Sequence, residues 1–174
     1  PQSLLINTSR GGGVDNQALF GVLSSGKELE GVLDVWEGEP SINQDLLDLV
    51  SIATPHIAGY SDQGKIRGTS TLLDAAQGFF SHPLKLNVAD FIKDTPVQLE
   101  LKSAHIAEAL LASYDVASND QNFRHAIADS ELSLPEAFDN FRKNYPQRNE
   151  YSCFRVSKKH PCCDQLAALG FNVF

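Results

Sequence analysis

Short apolar runs alternate with helix-period segments through the first third of the chain. Leu4-Leu5-Ile6 is a run of the kind buried in a parallel sheet. Asp15 then precedes Ala18, Leu19, Val22 and Leu23, a spacing that predicts a helix begun by an aspartate cap and closed by Gly26 as its C′ residue. Gly31–Val35 predicts a second buried strand, Gln44–Val50 a short helix, and Ser51–Ala53 a third strand that ends at Thr54-Pro55. Strands separated by helical stretches imply right-handed crossovers and a parallel sheet.

A doubly wound sheet usually carries about six strands, with a Gly-rich dinucleotide turn after the first. The glycine cluster here, Gly11-Gly12-Gly13, follows a strand but lacks the G-x-G-x-x-G spacing. The pattern predicts an α/β fold, the second half of a doubly wound, Rossmann-type parallel sheet, with the first half expected upstream of Pro1. The chain contains no Met, in keeping with that expectation.

Beyond this sheet, Ser61–Phe80 reads as one long helix, with Ile66, Thr69, Leu72, Leu73, Ala76, Phe79 and Phe80 on one face and His82-Pro83 as its stop. Residues 84–96 read as a linker. Val97, Leu99 and Leu101 alternate with Gln98, Glu100 and Lys102, the signature of a half-buried strand. Helices are predicted near Ala104–Leu111, Asp120–Ala128, Leu134–Tyr145 and Cys162–Leu169, and strands at Tyr151–Val156 and Phe171–Phe174. The stretch 97–174 is therefore expected to form a small α+β domain.

Charge narrows the functional classes. Lys and Arg total 14 against 22 Asp and Glu, a net charge of −8, which argues against a general nucleic-acid binder. No apolar run is long enough for a transmembrane span, and Pro1–Ser3 has no basic region of a signal peptide. A hydrophobic fraction of 42% is enough for a packed core. Cys153, Cys162 and Cys163 show neither a disulfide framework nor zinc spacing, so reduced thiols in a cytoplasmic protein and no metal are expected.

Candidate chemistry collects where the predicted strands end, the side on which open parallel sheets bind ligands. Arg10 can grip a carboxylate with a planar fork of donors and polarise a neighbouring carbonyl. His56 can take a hydroxyl proton as hydride leaves, and Glu39 can orient it and stabilise its imidazolium. Asp34 can accept from a nicotinamide carboxamide. Taken singly, each has a plainer role: a surface ion pair for Arg10, a structural histidine beside proline, a helix cap, a solvated loop charge. Their order along three strand ends is what favours hydride transfer at a 2-hydroxy acid.

The segments INTSRGGGVDNQAL, LDVWEGEP and TPHIAG resemble the D-isomer-specific 2-hydroxyacid dehydrogenases over roughly Leu4–Gly59. The resemblance implies NAD as cofactor, Arg10 on the substrate carboxylate, His56 as acid/base and Glu39 as its partner. It also implies that Thr8, Ser9, Arg10, Asp34 and Gly59 line the NAD site and that Tyr60 touches substrate. ATPHIAGYSDQGKIRGT, NFRKNYPQRNEYS and LAALGFNV resemble a branch acting on a phosphorylated hydroxy acid and forming homodimers through a C-terminal domain. On that basis residues 1–60 are the C-terminal half of the NAD-binding domain, 61–83 a helix returning to the substrate domain, 84–96 a linker and 97–174 the dimerisation domain. Gly12-Gly13 departs from the family, where bulkier residues are usual, and implies a looser loop there. Two other readings remain open at this point: a sibling dehydrogenase such as one acting on phosphoglycerate, and a scaffold that senses NAD without turnover.

Overall fold

The computed structural model describes residues 3–81, 96–129, 131–146 and 148–174. Packing divides the chain into two compact units: residues 1–58 with Val116–Pro146, and Gly59–Asp115 with residues 147–174.

In the first unit, β1 (Ser3–Asn7), β2 (Leu29–Leu33) and β3 (Ile52–Ala53) form a parallel sheet in sequence order. Pairing aligns Asn7 with Leu33 and Leu33 with Ala53, so the three strands end level with one another. The crossovers are α1 (Asn16–Ser24) and α2 (Gln44–Leu49). Each starts on a side chain that accepts an orphan helix N–H: Asp15 from Ala18 (2.8 Å) and Asn43 from Leu46 (3.0 Å). Gly26, at φ 72°, leaves α1 through the left-handed region as its position predicted.

Two helices from the far end of the sequence complete this unit, α5 (Val116–Ala128) and α6 (Leu134–Lys143). Phe123 and Phe138 are wholly buried in one core with Leu19, Leu33, Trp36, Leu46, Leu47 and Ala53. Polar contacts fix the join: the Arg124 guanidinium donates to the carbonyls of Leu47 (2.6 Å) and Val50 (2.9 Å), and Asp120 accepts the Ala53 N–H (2.7 Å). Thus the stretch 97–174, read from sequence as one module, is shared by packing between the two units. Helix-period apolar faces specify burial but not the partner that provides it.

The second unit contains α3 (Asp62–Phe80), α4 (Ile106–Ser113), α7 (Cys163–Ala168) and a parallel sheet of β4 (Val97–Gln98), β5 (Phe154–Val156) and β6 (Asn172–Val173). Its core is Ala109, Phe154, Val156, Leu166 and Phe171. Three expectations need correction here. The strand expected through Leu101 stops at Gln98, because the central β5 offers only three residues to pair with; Leu99 and Leu101 pack on the core instead. Tyr151–Cys153 is a turn of 3₁₀ helix rather than strand. The predicted face of α3 is exposed at Leu72, Phe79 and Phe80. The helix stop at His82-Pro83 and all but the last residue of the expected linker lie outside the described residues.

The aromatic side chains after Val97 are largely internal. Phe123, Phe138 and Phe141 pack edge to face in the first unit, while Tyr151 stacks on Phe171 in the second (ring centroids 4.7 Å apart). All three cysteines are free thiols.

Candidate active site

The level strand ends bring three loops to one edge of the first sheet. The ladder carries on past the strands, with Asp34 N–H donating to the Asn7 carbonyl (3.0 Å) and Thr54 N–H to that of Leu33 (2.9 Å). Residues Thr8–Arg10, Asp34–Glu39 and Thr54–His56 emerge there.

Glu39 and His56 meet. A carboxylate oxygen of Glu39 lies 2.8 Å from His56 Nδ1, and its other oxygen accepts the Trp36 backbone N–H at 2.8 Å. Because a carboxylate accepts, Nδ1 carries the hydrogen of the neutral ring and Nε2 is left as the basic nitrogen. The pair is neither sealed nor fully wet, with side chains 32% and 19% exposed for His56 and Glu39. That is the setting an acid/base group needs, since it must exchange a proton with a ligand and be recharged from solvent.

His56 sits at φ 57°, a left-handed conformation that costs an L-residue roughly 1–2 kcal/mol. Asp34 holds it there. The buried Asp34 carboxylate accepts the Thr54 hydroxyl (2.6 Å) and Ile57 N–H (2.8 Å) on one oxygen and Ala58 N–H (3.0 Å) on the other. Its carbonyl accepts His56 N–H at 2.6 Å. Strain held in place by surrounding bonds in this way is typical of functional sites.

Thr8, Ser9 and Arg10 are exposed just past β1. Asn7 shapes this turn, accepting Ser9 N–H (3.2 Å) and donating to the Arg10 carbonyl (3.1 Å). The Arg10 guanidinium is turned back on the Ser9 carbonyl (2.7 Å). Gly11–Gly13 form one turn of 3₁₀ helix, and Gly11 is there for closeness: a Cβ on it would lie 2.0 Å from the Trp36 carbonyl oxygen. Gly59 and Tyr60 belong to the second unit. A Cβ on Gly59 would meet open space, and the Lys65 ammonium lies 4.3 Å from the Tyr60 ring centroid.

The donor set suits a dinucleotide. Two exposed hydroxyl residues and a guanidinium line the C-terminal edge of a parallel sheet, where nucleotides bind in this architecture, while Asp34 is buried with both carboxylate oxygens bonded to Thr54, Ile57 and Ala58. Among the described residues no group of three or more His, Cys, Asp or Glu is placed to hold a metal, and no helix is long and apolar enough to cross a membrane.

Sequence reasoning missed the support around these groups. Asn16, Trp36, Glu37 and Thr54 all bond the loops that carry Glu39 and His56, yet each looks ordinary in sequence. A polar residue, Asn16, at the start of an otherwise apolar helix face was the available signal.

Residues 1–58 match the family model of the D-isomer-specific 2-hydroxyacid dehydrogenase NAD-binding domain, and residues 90–170 match a domain family of unknown function. The chain is 39% identical to an erythronate-4-phosphate dehydrogenase of Photorhabdus laumondii over 180 residues, covering 97% of this chain and 45% of that protein. It is 39% identical to the Proteus mirabilis enzyme of the same name (97% and 45% covered) and 42% identical to that of Pseudomonas syringae pv. tomato (87% and 42%). The chain spans less than half the length of these curated relatives.

Proposed function

We propose that this chain is part of an NAD-dependent dehydrogenase that oxidises 4-phospho-D-erythronate to 2-oxo-3-hydroxy-4-phosphobutanoate, a step toward pyridoxal 5′-phosphate, since its residues 1–58 match the NAD-binding domain of the D-isomer-specific 2-hydroxyacid dehydrogenases. The observation that carries this reading is the Glu39–His56 pair, 2.8 Å apart at the strand ends of that domain. The names of the similar proteins supply the substrate.

In this reading Arg10 swings from the Ser9 carbonyl to grip the substrate carboxylate bidentately and polarise the neighbouring C–O bond. His56 Nε2 accepts the proton of the 2-hydroxyl as the C2–H bond breaks. Glu39, bonded to Nδ1, stabilises the resulting imidazolium and keeps the ring in its productive tautomer. NAD, when bound, supplies the hydride acceptor. Thr8, Ser9, Arg10, Asp34 and Gly59 hold it, and Tyr60 contacts substrate. The proposal also includes a cytoplasmic setting, supported by the free thiols, and a homodimer formed through residues 97–174. Since the aromatics of that stretch are largely internal, any such interface is built from other surface.

The test is NAD reduction by a full-length protein containing this chain, across 4-phospho-D-erythronate, 3-phosphoglycerate and unphosphorylated 2-hydroxy acids. The expected result is a preference for the first, lost in His56→Ala. Preference for phosphoglycerate changes the substrate and keeps the chemistry; NAD binding without turnover on any acid overturns the enzymatic reading. Sedimentation of the same protein tests the dimer.

A further inference from the structure

The loop that carries Glu39 is bonded to the start of α1 by a reciprocal pair that the chemistry above does not use. Asn16, the first residue of α1 and only 4% exposed, donates its backbone N–H to the Glu37 carboxylate (2.7 Å). Its side-chain oxygen accepts the Glu37 N–H (3.0 Å), and its side-chain nitrogen donates to the Val14 carbonyl (2.9 Å). The first N–H groups of a helix have no partner within it and form the positive end of its dipole, so the Glu37 carboxylate answers both the unpaired donor and the charge.

Trp36, the residue before Glu37, bonds Glu39 directly. It is 2% exposed, its indole donates to the Thr54 carbonyl (3.0 Å), and its own carbonyl oxygen lies 2.0 Å from where a Cβ on Gly11 would be. Its backbone N–H orients Glu39 by taking one carboxylate oxygen, which leaves the other for His56. The Asn16–Glu37 bonds thus immobilise the residue next to the donor that aims Glu39.

We infer that Asn16 and Glu37 are positioning residues for the Glu39–His56 pair, holding the loop of residues 36–39 against the start of α1 so that the Glu39 carboxylate stays aimed at Nδ1. This rests on the acid/base reading of His56 for its catalytic consequence, but not for its structural one. Orientation of a catalytic group contributes through geometry, and small misplacements cost large factors in rate.

In a full-length protein containing this chain, Asn16→Ala and Glu37→Ala should lower kcat by about 10–100-fold, with KM moving far less. Glu37→Gln keeps an oxygen that accepts the Asn16 N–H and should restore nearly all of kcat. Proton NMR reads the same clamp without turnover. The low-field His56 Nδ1–H resonance expected for a hydrogen bond to carboxylate should persist in Glu37→Gln and be lost or broadened in both alanine variants, as in Glu39→Gln. If Asn16→Ala does not fold, Glu37→Ala, at an exposed side chain, carries the test alone. Alanine variants that retain both kcat and the resonance overturn the inference. A wild-type protein without hydride transfer overturns the acid/base reading, and the resonance then decides the clamp by itself.

Discussion

Removing the Asp34 carboxylate should release the segment that holds His56, and the structure sets the size of the effect. Asp34→Ala strips acceptors from Thr54 Oγ1, Ile57 N–H and Ala58 N–H. Ala58 is exposed, so water can replace its bond. Ile57 and Thr54 are buried, and each hydrogen bond to a charged acceptor contributes roughly 1.5–3 kcal/mol, about 3–6 kcal/mol for the two. Freed of its staple, His56 can leave φ 57°, which returns roughly 1–2 kcal/mol. The expected net loss is about 1–5 kcal/mol, a sizeable share of the roughly 5–15 kcal/mol of an ordinary domain. Asp34→Asn keeps one carbonyl oxygen with two lone pairs for Thr54 and Ile57, so it should cost less, on the order of 1–2 kcal/mol. The assay is urea unfolding of both variants beside the parent chain, comparing midpoints at unchanged slope. A loss below about 1 kcal/mol for Asp34→Ala, or an asparagine variant weaker than the alanine one, would refute the staple.

Three further outcomes follow from the same structure. Arg10→Lys keeps the charge but loses the fork, and in a full-length enzyme kcat/KM should fall by roughly 30–1000-fold, about 2–4 kcal/mol of transition-state binding; near-parental kinetics would make Arg10 structural. Phe123→Ala empties a wholly buried site beside Phe138 (ring centroids 5.7 Å apart) and should cost about 3–5 kcal/mol, read by thermal unfolding, if α5 and α6 belong to the core of the first unit. The backbone N–H groups of Lys102 and then Ser103 hold the Glu108 carboxyl below its ordinary 4.5. A lowered carboxyl pKa adds stability that is complete above 4.5 and disappears as pH falls through the folded value, so the melting-temperature gap between parent and Glu108→Gln should close on acidification below that point. A gap independent of pH would show that Glu108 acts uncharged.

The mechanistic consequence of the clamp and the staple is a division of labour. Asp34 shapes the backbone that presents His56, while Trp36, supported by Asn16 and Glu37, shapes the carboxylate that meets it. Both devices consist of hydrogen bonds within the chain itself, so together they fix the backbone and the carboxylate of the Glu39–His56 pair.

What the sequence determined by itself was local or periodic. Apolar runs bounded by Asp15, Gly26 and Thr54 marked β1 to β3 and their crossovers, because helix caps and strand burial are settled by residues within a few positions of one another. Arg10, Glu39 and His56 stood in segments that follow predicted strands, the side on which a parallel sheet binds ligands, and so they were legible as candidates from the sequence. Tertiary structure alone decided the rest. That Glu39 reaches His56 over 17 residues, that Asp34 turns inward onto Thr54 and Ile57, and that Asn16 locks Glu37 depend on which loops are brought side by side. The same holds for Phe123 and Phe138, whose apolar periodicity promised burial but left open that the partner would be the first sheet's core, contributed by residues about 70–120 positions earlier. A hydrophobic face is indifferent to where its covering comes from in sequence, and a hydrogen bond between distant loops leaves no periodic trace; both are fixed only when the chain closes on itself.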